Sequence, residues 1–215
     1  FLAGCGLPDA WKRKDRFAIA ELGFGTGLNV LATWRAWKKT RSPHAQLHIS
    51  TMEAFPLARE DAARSLAHFP DVGELSAALL EHWPVRAYAP QRLWFPEDGF
   101  SLTVFTGAAE TILSGLHGGF DAWFLDGFAP ARNQAMWSET VFRNIARLSN
   151  PGARLATFTV AGDVRRGLQA VGFEVEKKTG FGAKRERLEA SWRGVGSPAV
   201  STGFYPYGPA NPRRV

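Results

Sequence analysis

Residues 17–29, FAIAELGFGTGLN, run from an apolar stretch through three closely spaced glycines into a helical pattern. Phe17, Ile19 and Leu22, with small alanines between, suit a central parallel strand covered on both faces. Gly23, Gly25 and Gly27 allow left-handed backbone angles and close approach to a ligand, and Thr26 or Asn29 is placed to cap the helix that follows. Glu21 is the odd residue of the strand. A carboxylate there is costly to bury unpaired, so hydrogen bonds from a ligand or from turn amides are expected. A dinucleotide fingerprint would read G-x-G-x-x-G/A with an acid ~20 positions on. Here the third glycine comes one residue early, and the next strand-end acid, Glu53, lies farther downstream. The plain alternative is a tight strand-to-helix turn that holds no ligand.

With 215 residues, 45% of them hydrophobic, the chain has enough apolar material for one large domain. A net charge of +6 and a pI near 9.8 favour an anionic partner such as nucleic acid, although a merely basic soluble surface reads the same way. The single cysteine, Cys5, excludes an internal disulfide and a cysteine-based zinc site, which fits a reducing, cytoplasmic setting. No run approaches ~18 apolar residues and no secretory signal opens the chain, so neither a membrane span nor secretion is expected. The opening FLAGCGLP reads as the tail of a loop or hairpin, hence a fragment. Residues 195–215, rich in Pro, Gly and Ser, read as a linker or tail after a domain spanning 1–194.

Along the chain, DAWKRKDR at 9–16 is a charged approach to the first strand, either a phosphate contact or a solvated face. Leu28, Leu31, Ala32 and Trp34 fall on one face of the following helix. QLHISTME supplies a second strand closed by Glu53, the candidate for a ribose hydroxyl because open α/β sheets bind ligands at such strand ends. Residues 56–83 read as two helical pieces. His44, His48, His68 and His82 lack partners at ligand spacing and read as satisfied or exposed. RLWF and FSLTVFTG form two strands about the PEDG turn, the second opening a helix at Thr106-Gly107-Ala108. FDAWFLDGFAP is a buried strand ending in Asp126, which points into the same crevice as the glycine turn or else caps its own loop. Phe128 and Pro130 would give that crevice an apolar wall. An amphipathic helix over 136–148 stops at Asn150-Pro151-Gly152, and ARLATFTV, a further helix and the strands FEVEKK and ERLEASW complete the chain.

ELGFGTGLN, the strand-end Glu53, FLDGFAP and GFGAKRE, in this order, resemble the MnmC-type tRNA methyltransferase domain over nearly the whole chain. The resemblance implies an α/β Rossmann-like fold with a seven-stranded, mostly parallel sheet in the order 3-2-1-4-5-7-6 and an antiparallel last strand. It implies S-adenosyl-L-methionine (SAM) as cofactor, held by Glu21, Gly23, Gly25, Gly27, Asn29, Glu53, Gly107 and Ala108. The implied reaction is methylation of the primary amine of 5-aminomethyl-2-thiouridine at the tRNA wobble position. Asp126 would be catalytic, with Phe128, Pro130, Lys184 and Arg185 on the substrate side, although Arg185 is equally placed to pair with Glu186 or Glu189. Related methyltransferases carry an Asp where this chain has Ala108, which leaves adenine to backbone groups and to stacking by Phe55. In many bacteria the domain is fused to an FAD-dependent oxidoreductase, and PRRV resembles the approach to it. The rival classes are a nicotinamide-dependent oxidoreductase, opposed by the glycine spacing, and a non-catalytic RNA-binding module.

Overall fold

The computed structural model describes residues 1–84, 89–127, 133–180 and 186–194. Five strands, β1 (Arg16–Leu22), β2 (Gln46–Glu53), β4 (Phe100–Thr106), β5 (Phe120–Leu125) and β6 (Ser149–Thr157), run parallel. β3 (Gln91–Phe95) adds to β4 antiparallel, β8 (Glu186–Trp192) adds to β6 antiparallel, and β7 (Phe173–Thr179) pairs with β8. Among the described residues the order is β3-β4-β2-β1-β5-β6-β8-β7. The sheet thus has eight strands rather than seven. The extra one is RLWF at the edge, and the rest keep the expected order.

Alternation of side chains across the strands builds two cores. Phe17, Ile19, Leu47 and Ile49 face α1 (Leu28–Thr40), α2 (Arg59–Leu66) and α3 (Gly73–Glu81). Ala18, Ala20, Leu22 and Trp123 face α4 (Ala109–Gly115), α5 (Glu139–Arg147) and α6 (Gly162–Ala170). The small alanines of β1 leave room for the Trp123 ring, whose Nε1 donates to Ser149 Oγ at 2.9 Å. In α1 the buried stripe is Val30, Leu31, Trp34 and Trp37, so Leu28 and Ala32 flank it. Asn150-Pro151-Gly152 does not only end α5; it already belongs to β6, with a bulge between Phe120 and Ala122 taking up the irregular register.

The opening residues are part of the fold. Ala3–Cys5 and Asp9–Trp11 form short 3-10 turns. Trp11 is buried, packs edge-on against Phe17 and Trp37, and donates from Nε1 to Thr40 Oγ1 at 2.9 Å. Cys5 is buried as well, and burial pushes its thiol up to about 12, so it is inert at neutral pH. His48 is satisfied by Ser101 and Ser50 at 2.8 and 2.9 Å, and desolvation lowers its pKa well below the ordinary value.

Candidate active site

The carboxyl ends of β1, β2, β4 and β5 converge on the glycine turn. Each strand end is tied to its neighbour one step beyond the sheet: Gly23 N donates to Met52 O, Asp126 N to Leu22 O and Gly107 N to Glu53 O, all at 2.9 Å. Gly23 is forced by this closeness. Its φ is +98°, and a Cβ there would stand 2.0 Å from the Asp126 carbonyl oxygen. Gly25, φ +52°, has the opposite surroundings, since a Cβ would meet nothing within 4 Å. The turn therefore presents its backbone to open space at Gly25 while it is pinned at Gly23.

Phe24, between these glycines, is buried against Trp83 with ring centroids 5.2 Å apart, and Leu79 of α3 would lie 3.0 Å from a Cβ on Gly27. Residues 56–83 thus support the turn from below, a role not visible in their helical periodicity. The turn amide of Gly25 donates to Glu53 Oε2 at 3.0 Å, and Phe55 N donates to Glu53 Oε1 at 2.9 Å. An ionised carboxylate has about four acceptor positions, so Glu53 retains capacity for ligand hydroxyls. Phe55 beside it is 75% exposed, an uncovered aromatic face at the end of β2.

Glu21 is 0% exposed, and its partners among the described residues are side chains rather than turn amides. Thr51 Oγ1 donates to Oε2 at 2.8 Å and Asn29 Nδ2 to Oε1 at 3.1 Å. The same Asn29 nitrogen donates to Asp126 Oδ2 at 2.7 Å. Neither Thr26 nor Asn29 caps α1; Gly27 occupies the cap position without a side-chain bond. Burial pushes the Glu21 carboxyl up to about 8 against the pull of Thr51 and Asn29, and the nearby charges of Asp126 and Glu53 push the same way. Ala108 occupies the cap of α4 and its methyl makes no capping bond, while Thr106 Oγ1 at the end of β4 is buried without a hydrogen-bond partner among the described residues.

The structure brings together Glu21, the three glycines, Asn29, Glu53, Gly107, Ala108 and Asp126 at one edge of the sheet. Phe128, Pro130, Lys184 and Arg185 lie outside the described residues. Of the acids named as partners for Arg185, Glu186 pairs with Lys177 at 2.7 Å and Glu189 with Arg187 at 2.6 Å. Lys12 and Lys14 of the basic approach segment pair with Asp9 and Asp121. Among the described residues no group of His, Cys, Asp or Glu is arranged to hold a metal ion.

A family of S-adenosyl-L-methionine-dependent methyltransferases matches residues 70–193, more than half of the chain. The chain belongs to this methyltransferase family. The match decides the cofactor class for SAM over a nicotinamide. The residues fit that cofactor, because the turn opens at Gly25, where a ligand can approach the backbone, and the strand-end carboxylate of Glu53 stands beside it. Among the relatives, the tRNA 5-methylaminomethyl-2-thiouridine biosynthesis bifunctional protein MnmC of Maricaulis maris is 55% identical over 194 residues, covering 90% of this chain and 33% of that protein. The protein of the same name from Caulobacter vibrioides is 51% identical over 195 residues, 90% of this chain and 32% of that protein. The methyltransferase chain therefore spans about a third of the length of these curated relatives. The crystal structure of MNMC2 from Aquifex aeolicus matches with a TM-score of 0.70 at 22% identity, covering 91% of this chain and 60% of that one. At that identity the likeness speaks for the fold.

Proposed function

We propose that this methyltransferase transfers a methyl group from SAM to the primary amine of 5-aminomethyl-2-thiouridine at the tRNA wobble position, giving 5-methylaminomethyl-2-thiouridine. The observation that carries the reading is Asp126, held beside the glycine turn through Asn29, in a chain about half identical to proteins named for biosynthesis of that product. SAM, when bound, supplies an electrophilic methyl carbon on a sulfonium sulfur. The open backbone of the turn at Gly25 and the carboxylate of Glu53 would hold it, with Gly107, Ala108 and Phe55 placed to receive the adenine.

The amine arrives as an ammonium and needs a free lone pair. Asp126 holds it by hydrogen bonding and takes or relays its proton, and positioning supplies most of the rate. Phe128 and Pro130 exclude water, and Lys184 and Arg185 meet tRNA phosphate or the base. On the same reading, residues 1–194 are the methyltransferase domain and 195–215 a linker. The relatives are named bifunctional and are about three times as long, which supports the expectation, carried by the family resemblance, of an FAD-dependent oxidoreductase in a further domain. No helix among the described residues is long and apolar enough to cross a membrane, and the cytoplasm is where the tRNA substrate resides.

Incubation with SAM labelled in its methyl group and tRNA carrying 5-aminomethyl-2-thiouridine tests the proposal. Label should appear in 5-methylaminomethyl-2-thiouridine after nucleoside digestion. Label retained in SAM, with the protein folded and SAM bound, would refute the substrate assignment.

A further inference from the structure

Asn29 stands in the first turn of α1, a rigid element, and its side-chain nitrogen lies between two carboxylates from different strands. An amide nitrogen has two hydrogens, and here one goes to Glu21 Oε1 at 3.1 Å and the other to Asp126 Oδ2 at 2.7 Å. The opposite amide orientation would set a carbonyl oxygen against two acceptors, so the network fixes which end faces the acids. Both donors are then consumed within the protein. Glu21 is fully buried and anchored from its far side by Thr51 of β2, so it cannot follow Asp126 if that residue moves. Asp126 differs: it lies past the last residue of β5, and its side chain is exposed.

We infer that Asn29, backed by Glu21 and Thr51, is a positioning residue that sets the Asp126 carboxylate against the glycine turn, rather than a donor to the methyl donor itself. The inference rests on the proposed role of Asp126. It assigns the chain β2–β1–α1 a task beyond shaping the cofactor pocket: a ladder of side chains, buried at Thr51 and Glu21, holds an exposed acid in register through the half-buried Asn29. The burial that pushes Glu21 upward supports this, since a carboxyl that keeps its proton tolerates a second acid on the same amide without full charge repulsion.

Asn29→Ala tests the inference, with Asn29→Ser as the second variant should the first fail to fold; serine stays polar but is too short to span the two acids. On tRNA bearing 5-aminomethyl-2-thiouridine, kcat should fall on the order of 10²-fold, the usual cost of a ~1 Å misplacement. The SAM dissociation constant should stay within about threefold, because no transition-state-independent contact is lost. In an Asp126→Asn background the same substitution should cost less than about threefold, since the two residues act as one unit. A crystal structure of the variant should show the Asp126 carboxylate displaced by ~1 Å or more. SAM affinity weakened as much as turnover, fully additive losses, or an Asp126 carboxylate left in place would each overturn the inference. If the unmodified protein transfers no methyl group, the functional proposal fails separately, and the Asp126 position in the variant structure still decides the positioning claim.

Discussion

Alanine at Gly23 and at Gly25 separates the two tasks of the glycine turn. Both residues have positive φ, +98° and +52°, and an L side chain there costs about 1–2 kcal/mol. At Gly23 the new Cβ would also sit 2.0 Å from the Asp126 carbonyl oxygen and 2.9 Å from its carbon. Backbone cannot swing aside as a side chain can, and such overpacking adds about 1–3 kcal/mol. Gly25→Ala should therefore lose about 1.5 kcal/mol by the left-handed cost alone, and Gly23→Ala about 3.5 kcal/mol with the clash added. For a chain of this size that is a fall in Tm of roughly 4 °C against roughly 10 °C. Calorimetric titration with SAM completes the contrast. Gly25→Val places a branched side chain in the open space before the turn and should abolish binding while the protein stays folded. Equal stability losses at the two positions would refute the close approach at Gly23. Normal SAM affinity in Gly25→Val would show that the ligand does not lie where the turn opens.

Glu53→Ala should weaken SAM binding roughly ten- to a hundredfold, the ~1.5–3 kcal/mol of hydrogen bonds to a charged acceptor; an unchanged dissociation constant by calorimetry would move the ribose contact elsewhere. For Glu21, burial raises the native pKa from 4.5 to about 8, so the folded chain keeps a proton that the unfolded chain releases. Its stabilising contribution is complete below pH 4.5 and lost as the pH rises to 8. Glu21→Gln, neutral throughout, should flatten the decline in stability between pH 5 and pH 8, and urea denaturation giving parallel slopes for both proteins would contradict the assignment. Asp126→Asn should lower turnover about 10²-fold or more with SAM binding nearly intact, and higher pH should partly restore it because solution then deprotonates the amine. Wild-type turnover in that variant would reduce Asp126 to a loop cap.

The parallel strands and the placement of the candidate residues at their ends were legible because their signals are local. An apolar run into three glycines, an acid closing β2 and an Asp closing β5 each place themselves at the same sheet edge once the strands are parallel. What was not legible depends on residues distant in sequence. Trp11 lies in a run of charges at 9–16, and only the packing of Phe17 and Trp37 shows it as core. Asp98, read as part of a turn, accepts from Trp34 Nε1 at 2.8 Å and from Lys38, so it fastens α1 to the start of β4. Asn29 was placed to cap its helix, because Asn in a first turn most often serves the backbone. Here two carboxylates outbid the helix amides, and neither is within seven residues of it in the chain.

The acids at the glycine turn also resolve an apparent conflict in the charge of the chain. A net charge of +6 suits a polyanionic partner such as tRNA, yet Glu21, Glu53 and Asp126 gather at the one edge where the reaction is proposed to occur. Both reactants there are cationic before transfer: the donor carries a sulfonium and the amine arrives as an ammonium. A negative cleft on a basic protein suits both demands, since phosphates are attracted to the surface while the cations are attracted inward. Three ionised carboxylates in one cluster would repel one another. The buried member relieves that repulsion by keeping its proton, since burial pushes the Glu21 carboxyl up to about 8. The order of burial across the site thus separates the acids: Glu21, whose proton burial retains, at the back, and the exposed Asp126 at the mouth, where on the proposed reading an ammonium would be held and lose its proton.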